Sequence, residues 1–74
     1  MDGVTFGRGL KALRIRKRLR QDDLAYASDV SRGVIARIEA SGAANVTVAT
    51  LEQVAAPLGA RVVCRLSWNG EGLD

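Results

Sequence analysis

The stretch Gln21 to Glu39, QDDLAYASDVSRGVIARIE, constrains the fold of this chain more than any other. Two short helical patterns lie back to back in it, separated by only a few residues. In the first, Leu24 and Ala25 face inward; in the second, Val30, Ile35 and Ile38 do so. Ser28, Asp29 and Val30 form a tight turn between them, and Ser31 is placed to cap the second helix. The expected arrangement is two helices joined at a sharp angle, with one face of each turned to a shared core.

The rest of the chain must supply that core. With 74 residues it makes one small domain, near the lower limit at which a single core is self-sufficient. Hydrophobic residues are 47% of the chain and aromatics only 4%, so Ala, Val, Leu and Ile must do the packing. Such a core suits short, closely packed helices. The one cysteine, Cys64, excludes an internal disulfide framework and fits a reducing cytoplasm. No apolar run approaches the roughly 18 residues of a membrane span, and no secretory leader is expected. The expectation is therefore a soluble cytoplasmic protein.

Charge is distributed unevenly. Residues 1–20 carry Arg8, Lys11, Arg14, Arg16, Lys17, Arg18 and Arg20 against Asp2, a net +6, whereas residues 21–74 sum to −3. Positive potential so concentrated on the first helix and its exit suits a surface that meets a polyanion. Nucleic acid is favoured, with an anionic membrane surface or an acidic protein as competing partners and a plain solvated face as the bland alternative.

Periodicity along the chain places five elements. Residues 5–18 read as a helix, with Phe6, Leu10 and Leu13 on one stripe and Thr5 as N-cap. Helices over 21–27 and 31–39 come next, then a Gly- and Ala-rich loop over 40–46. Thr47 caps a fourth helix whose apolar stripe is Leu51, Val54, Ala55 and Leu58, and Gly59 ends it. Pro57 should bend or shorten that helix. The fifth element is a strand, Arg61 to Trp68, which alternates with Val62, Cys64, Leu66 and Trp68 on one face. A lone strand leaves its backbone groups unpaired, so the expected partner is the same strand of a second copy, about a two-fold axis, with a short N-terminal segment, Gly3 to Phe6, as the alternative. The domain is then expected over 1–59, with 60–74 as a dimerisation strand and tail, or the start of a region continued elsewhere.

Residues Leu10, Leu13 and Arg14, then Leu19, Gln21 and Leu24–Ala25, then Val30-Ser31-Arg32, Ile35 to Glu39 and Thr50–Leu51 through Gly59 occur in a specific order and spacing. Over roughly two-thirds of the chain this resembles the Cro/phage-repressor (XRE) family of helix-turn-helix domains. The resemblance implies a mainly α, lambda-repressor-like bundle of four to five helices that binds operator DNA, usually as a dimer. That family commonly has glycine where Arg18 and Asp29 stand, which implies left-handed backbone at both. It commonly has Ser or Thr where Arg20 stands, so the second helix loses its usual cap. The resemblance further implies an ion pair between Arg14 and Glu39, and a phosphate clamp at Gln21 supported by neighbouring backbone N–H groups.

In a helix that begins at Ser31, the face opposite Ile35 and Ile38 carries Arg32, Gly33, Ala36 and Arg37. Arginine is suited to bidentate hydrogen bonds with guanine O6 and N7, and the two small residues allow close approach to the bases. Either arginine can equally be spent on phosphate, which is common at the edge of such a helix. Arg20 adds a phosphate contact, and the loop from Ser41 to Asn45 offers further ones. Double-stranded operator DNA, palindromic for a homodimer, is the expected partner, with half-sites about 34 Å apart.

Catalysis has little support. The chain has no histidine, so neither a His-based triad nor the usual metal sites assemble, and no cofactor is expected. Cys64 lies among apolar neighbours, where packing is its simplest role. Asp22 and Asp23 favour the dipole of the second helix, and Tyr26 is expected to pack between helices. The functional expectation is a dimeric transcriptional regulator, a repressor or an antitoxin-type autoregulator. The alternative is a protein-interaction module whose C-terminal strand binds a toxin or a fused partner domain.

Overall fold

The structure, a computed structural model, describes residues 3–63. Four α-helices, α1 (Gly3–Arg16), α2 (Gln21–Ser28), α3 (Arg32–Ser41) and α4 (Val48–Ala55), are followed by a 3-10 turn, Ala56–Leu58. The core is aliphatic: Leu10, Leu24, Val30, Ile35, Ile38, Leu51, Val54 and Leu58 are buried together. Helices α1 and α2 both pack on α3, and α4 with its 3-10 extension packs on α2.

Each helix boundary has a local cause. Helix α1 stops because Arg18 adopts φ 57. The Leu19 N–H then returns to the Arg14 carbonyl at 3.0 Å and the Arg18 N–H to the Ile15 carbonyl at 2.9 Å, a Schellman ending. Helix α2 starts without a side-chain acceptor at Arg20, since a guanidinium has none. Asp23 compensates by accepting the Arg20 backbone N–H at 2.8 Å, which supplies the returning half of a capping box. At the other end the buried Ser28 hydroxyl donates to the Leu24 carbonyl at 2.7 Å and accepts the Val30 N–H at 3.3 Å. Asp29, at φ 58, reverses the chain there. Ser31 and Thr47 cap α3 and α4 by accepting from Val34 and Thr50, each at 3.2 Å.

Several expectations change. Thr5 lies inside α1, which already begins at Gly3. Leu13 is 36% exposed and Arg14 occupies the inward position one turn after Leu10. The Phe6–Leu10–Leu13 stripe is therefore rotated toward Phe6, Leu10 and Arg14, because α3 offers Arg14 an acceptor. Ser41 is the last residue of α3 rather than part of a loop, with Gly42 after it. Pro57 does shorten α4: regular helix ends at Ala55, and the turn around Pro57 narrows to 3-10. Tyr26 does not pack between helices; it is 93% exposed. Among the described residues there is no strand: Arg61 to Val63 have no regular structure, and Val62 packs half-buried on the core. Cys64, Leu66 and Trp68 lie outside the described residues.

Gly7 accounts for how closely α1 approaches α3. A Cβ there would collide with the Ile38 carbonyl oxygen and come within 3.4 Å of the Gly42 Cα. Only glycine allows the two backbones to touch at this crossing.

Candidate nucleic-acid interface

Three helices converge on one carboxylate. Glu39, on the last turn of α3, accepts Arg14 Nε at 2.7 Å through Oε2 and Arg14 Nη2 at 2.9 Å through Oε1. The fork is parallel and bidentate, the strongest form of arginine–carboxylate contact. Arg14 Nη1 also donates to the Leu19 carbonyl at 2.8 Å, so this one guanidinium ties α1, its C-terminal turn and α3 together. Gln21, first residue of α2, donates from Nε2 to Glu39 Oε1 at 3.2 Å. The side chains of Arg14 and Glu39 are only 11% and 4% exposed. Burial pushes the Glu39 carboxyl up, but the hydrogen bonds from Arg14 and Gln21, with the charges of Arg14 and Lys11, outweigh it and hold the carboxyl below its ordinary range. The Arg14 guanidinium is raised, first by its hydrogen bond to Glu39.

This network sets the pose of α3. With Ile35 and Ile38 fully buried, the opposite side of the helix turns outward, where Arg32, Gly33 and Arg37 are exposed and Ala36 is half-buried. A Cβ on Gly33 would meet nothing within 4 Å, so that part of the surface is shallow and open. Gln21 is half-buried at the edge of the same surface. Its amide is held by Glu39, so one N–H is committed and its position is preset. Arg20, beside it, is 82% exposed at its side chain and lies 3.4 Å from the Asp23 carboxylate. Arg32 lies 3.4 Å from Asp22 across the α2–α3 angle. Ser41 is exposed at the far end of α3, and Asn45, at φ 63, forms the left-handed third position of the Ala43–Val46 turn.

The outward face thus has a basic, small-residue helix with a preset amide beside it and an exposed turn after it. A helix of this kind, projecting from a partner helix across a tight turn, fits the major groove. The sequence profile of the helix-turn-helix domain family matches residues 5–67, most of the chain. The chain belongs to the helix-turn-helix domain family. No curated protein and no solved structure matches it. A helix-turn-helix domain indicates binding of double-stranded DNA and a role in regulating transcription. No helix among the described residues is long and apolar enough to cross a membrane.

Three residues make contacts in this helix-turn-helix domain that were not anticipated from the sequence, two of them expected there only to favour the dipole of α2. Asp23 is the acid three residues after an N-cap position, the spacing of a capping box, but the arginine at that position hides the pattern. Asp22 reaches α3 only because the turn brings the two helices together. Gly7 sits in an ordinary helical pattern, and nothing local marks it as a contact point.

Proposed function

We propose that this domain is a sequence-specific regulator that inserts α3 into the major groove of a palindromic operator as a homodimer. The observation that carries this reading is the Arg14–Glu39–Gln21 network, which holds the arginine-bearing face of α3 outward and presets an amide beside it. Arg32 and Arg37 meet guanine edges or flanking phosphates, Gly33 and Ala36 admit the bases, and Arg20 and Gln21 hold phosphate oxygens. Ser31, Ser41 and Asn45 border the same surface and contact the backbone. The second copy joins through the alternating C-terminal segment 61–68, by way of Cys64, Leu66 and Trp68. Repression then results from occupancy of the operator, in a cytoplasmic protein that performs no catalysis, with antitoxin-type autoregulation as one form of it.

Titration of labelled duplexes at several salt concentrations tests the reading. The logarithm of affinity should fall linearly with the logarithm of salt, with a slope that tracks the phosphates contacted. Arg37→Ala should relax preference at one base position, whereas Gln21→Ala should weaken all sequences alike. Affinity independent of salt would turn the reading toward a protein-interaction module. Sedimentation that returns a strict monomer at high concentration, with and without DNA, would remove the dimer.

A further inference from the structure

Asp22 is out of place for its surroundings. It lies on the first turn of α2, beside the edge where phosphate oxygens are expected, and a carboxylate there repels them. The dipole of α2 favours both Asp22 and Asp23 on its first turn, but the bond to the Arg20 N–H at 2.8 Å is made by Asp23. What distinguishes Asp22 is its reach across the turn: Oδ1 lies 3.4 Å from Nε of Arg32, the first residue of α3. The two side chains remain 65% and 64% exposed, so the pair stabilises the fold little and leaves Arg32 accessible. Asp22 is also within electrostatic reach of Arg20. Arg20, however, has its closer partner in Asp23.

The chemistry of the guanidinium gives the pair a use. Arginine has five donors in a rigid fork, and a carboxylate at Nε occupies one edge. The terminal Nη1 and Nη2 stay available to grip guanine O6 and N7 together. A free arginine at the first position of a helix rotates readily toward the nearest phosphate. A carboxylate near Nε biases the side chain toward orientations in which its terminal nitrogens point away from α2.

We propose that Asp22 is a positioning residue for base recognition, orienting Arg32 from the neighbouring helix so that it reads guanine instead of phosphate. The proposal rests on the DNA-binding reading above. It trades some non-specific affinity, through the repulsion of a carboxylate from the phosphates, for discrimination at one base.

Selection of bound sites from a random duplex library, with the full chain as wild type, Asp22→Asn, Arg32→Ala and the double variant, tests this directly. The wild type should select guanine at a defined position, and Arg32→Ala should lose that preference. Asp22→Asn should relax the same position by roughly three- to tenfold, a fraction of what one bidentate pair supplies. It should leave affinity for unselected DNA unchanged or higher. The double variant should match Arg32→Ala, because Asp22 acts through Arg32. If Asp22→Asn strengthens all sequences equally with the guanine preference intact, Asp22 only repels phosphate and the proposal is overturned. Preferences altered at different positions by the two single variants overturn it as well. A wild-type chain that binds no duplex removes the DNA-binding reading, and this proposal with it. A wild type that selects sites beside an unaltered Asp22→Asn removes the proposal alone.

Discussion

Arg14 and Glu39 are the residues on which the pose of α3 depends. Removal of the carboxylate in Glu39→Ala leaves a largely buried guanidinium with only the Leu19 carbonyl. Loss of about 3 kcal/mol is expected, read from the shift of a urea or thermal midpoint. The same carboxyl gives stability a pH dependence whose sign is set by its lowered folded-state pKa. Its contribution is complete above the ordinary value of 4.5 and declines as pH falls through the lower folded value. Asp23, lowered first by the Arg20 N–H and then by its side chain, acts in the same direction. Glu39→Gln should therefore be less stable at neutral pH and flatter on the acid side. Melting curves from about pH 2 to about pH 7, the span over which carboxylates titrate, would show both effects. Arg18 presents the opposite case. Its φ of 57 is forced by the turn after α1, and Arg18→Gly should raise stability by about 0.5 kcal/mol as relief of the left-handed strain exceeds the entropy cost of glycine. A lower melting temperature for that variant would mean the Arg18 side chain has a stabilising contact. The ion pair and the left-handed backbone at Arg18 and Asp29 were anticipated through the resemblance to the Cro/phage-repressor family, whose motif places them at fixed offsets. The third partner of Glu39 was not, because Gln21 meets it only when α2 and α3 fold together.

Two glycines in α1 separate what an element wants from what its neighbour permits. Alanine is the better helix former at either position, by about 1 kcal/mol. Gly9 has nothing within 4 Å of a would-be Cβ, so Gly9→Ala should raise the midpoint by most of that amount. At Gly7 the Cβ meets the Ile38 carbonyl. There the forced separation of α1 from α3 should outweigh the propensity gain, for a net loss of about 2 kcal/mol. Equal midpoints for the two variants would show that α1 is free to shift along α3. The existence and order of all four helices came from periodicity and capping, while their ends moved by up to about three residues, most at the C-terminus of α4. The inward face of α1 was the larger discrepancy. Leu10 has Leu13 at i+3 and Arg14 at i+4, both helical spacings, and hydrophobicity alone favours the leucine. The carboxylate of Glu39 decides for the arginine.

Across the whole molecule, the most extensive helix contact, α1 on α3, and that of α4 on α2 each skip one element, while α2 on α3 and α4 on its 3-10 extension join neighbours in a short chain of helices. Such a topology folds quickly, and refolding in a single phase within milliseconds is expected from stopped-flow or temperature-jump traces. A slow dominant phase would point to a step outside this bundle, such as association of copies. Residue order was enough to specify the helical periodicity, the aliphatic core from Leu24 to Leu58, the caps at Ser31 and Thr47, and the basic bias of the first 20 residues. These are local or compositional properties, set by residue type and spacing along one chain. Packing in three dimensions was needed to make Gly7 a backbone crossing, to bring Gln21 to Glu39 beside Arg14, and to bring Asp22 to Arg32. Those contacts depend on the angles and separations of helices in space, and a one-dimensional pattern does not encode them.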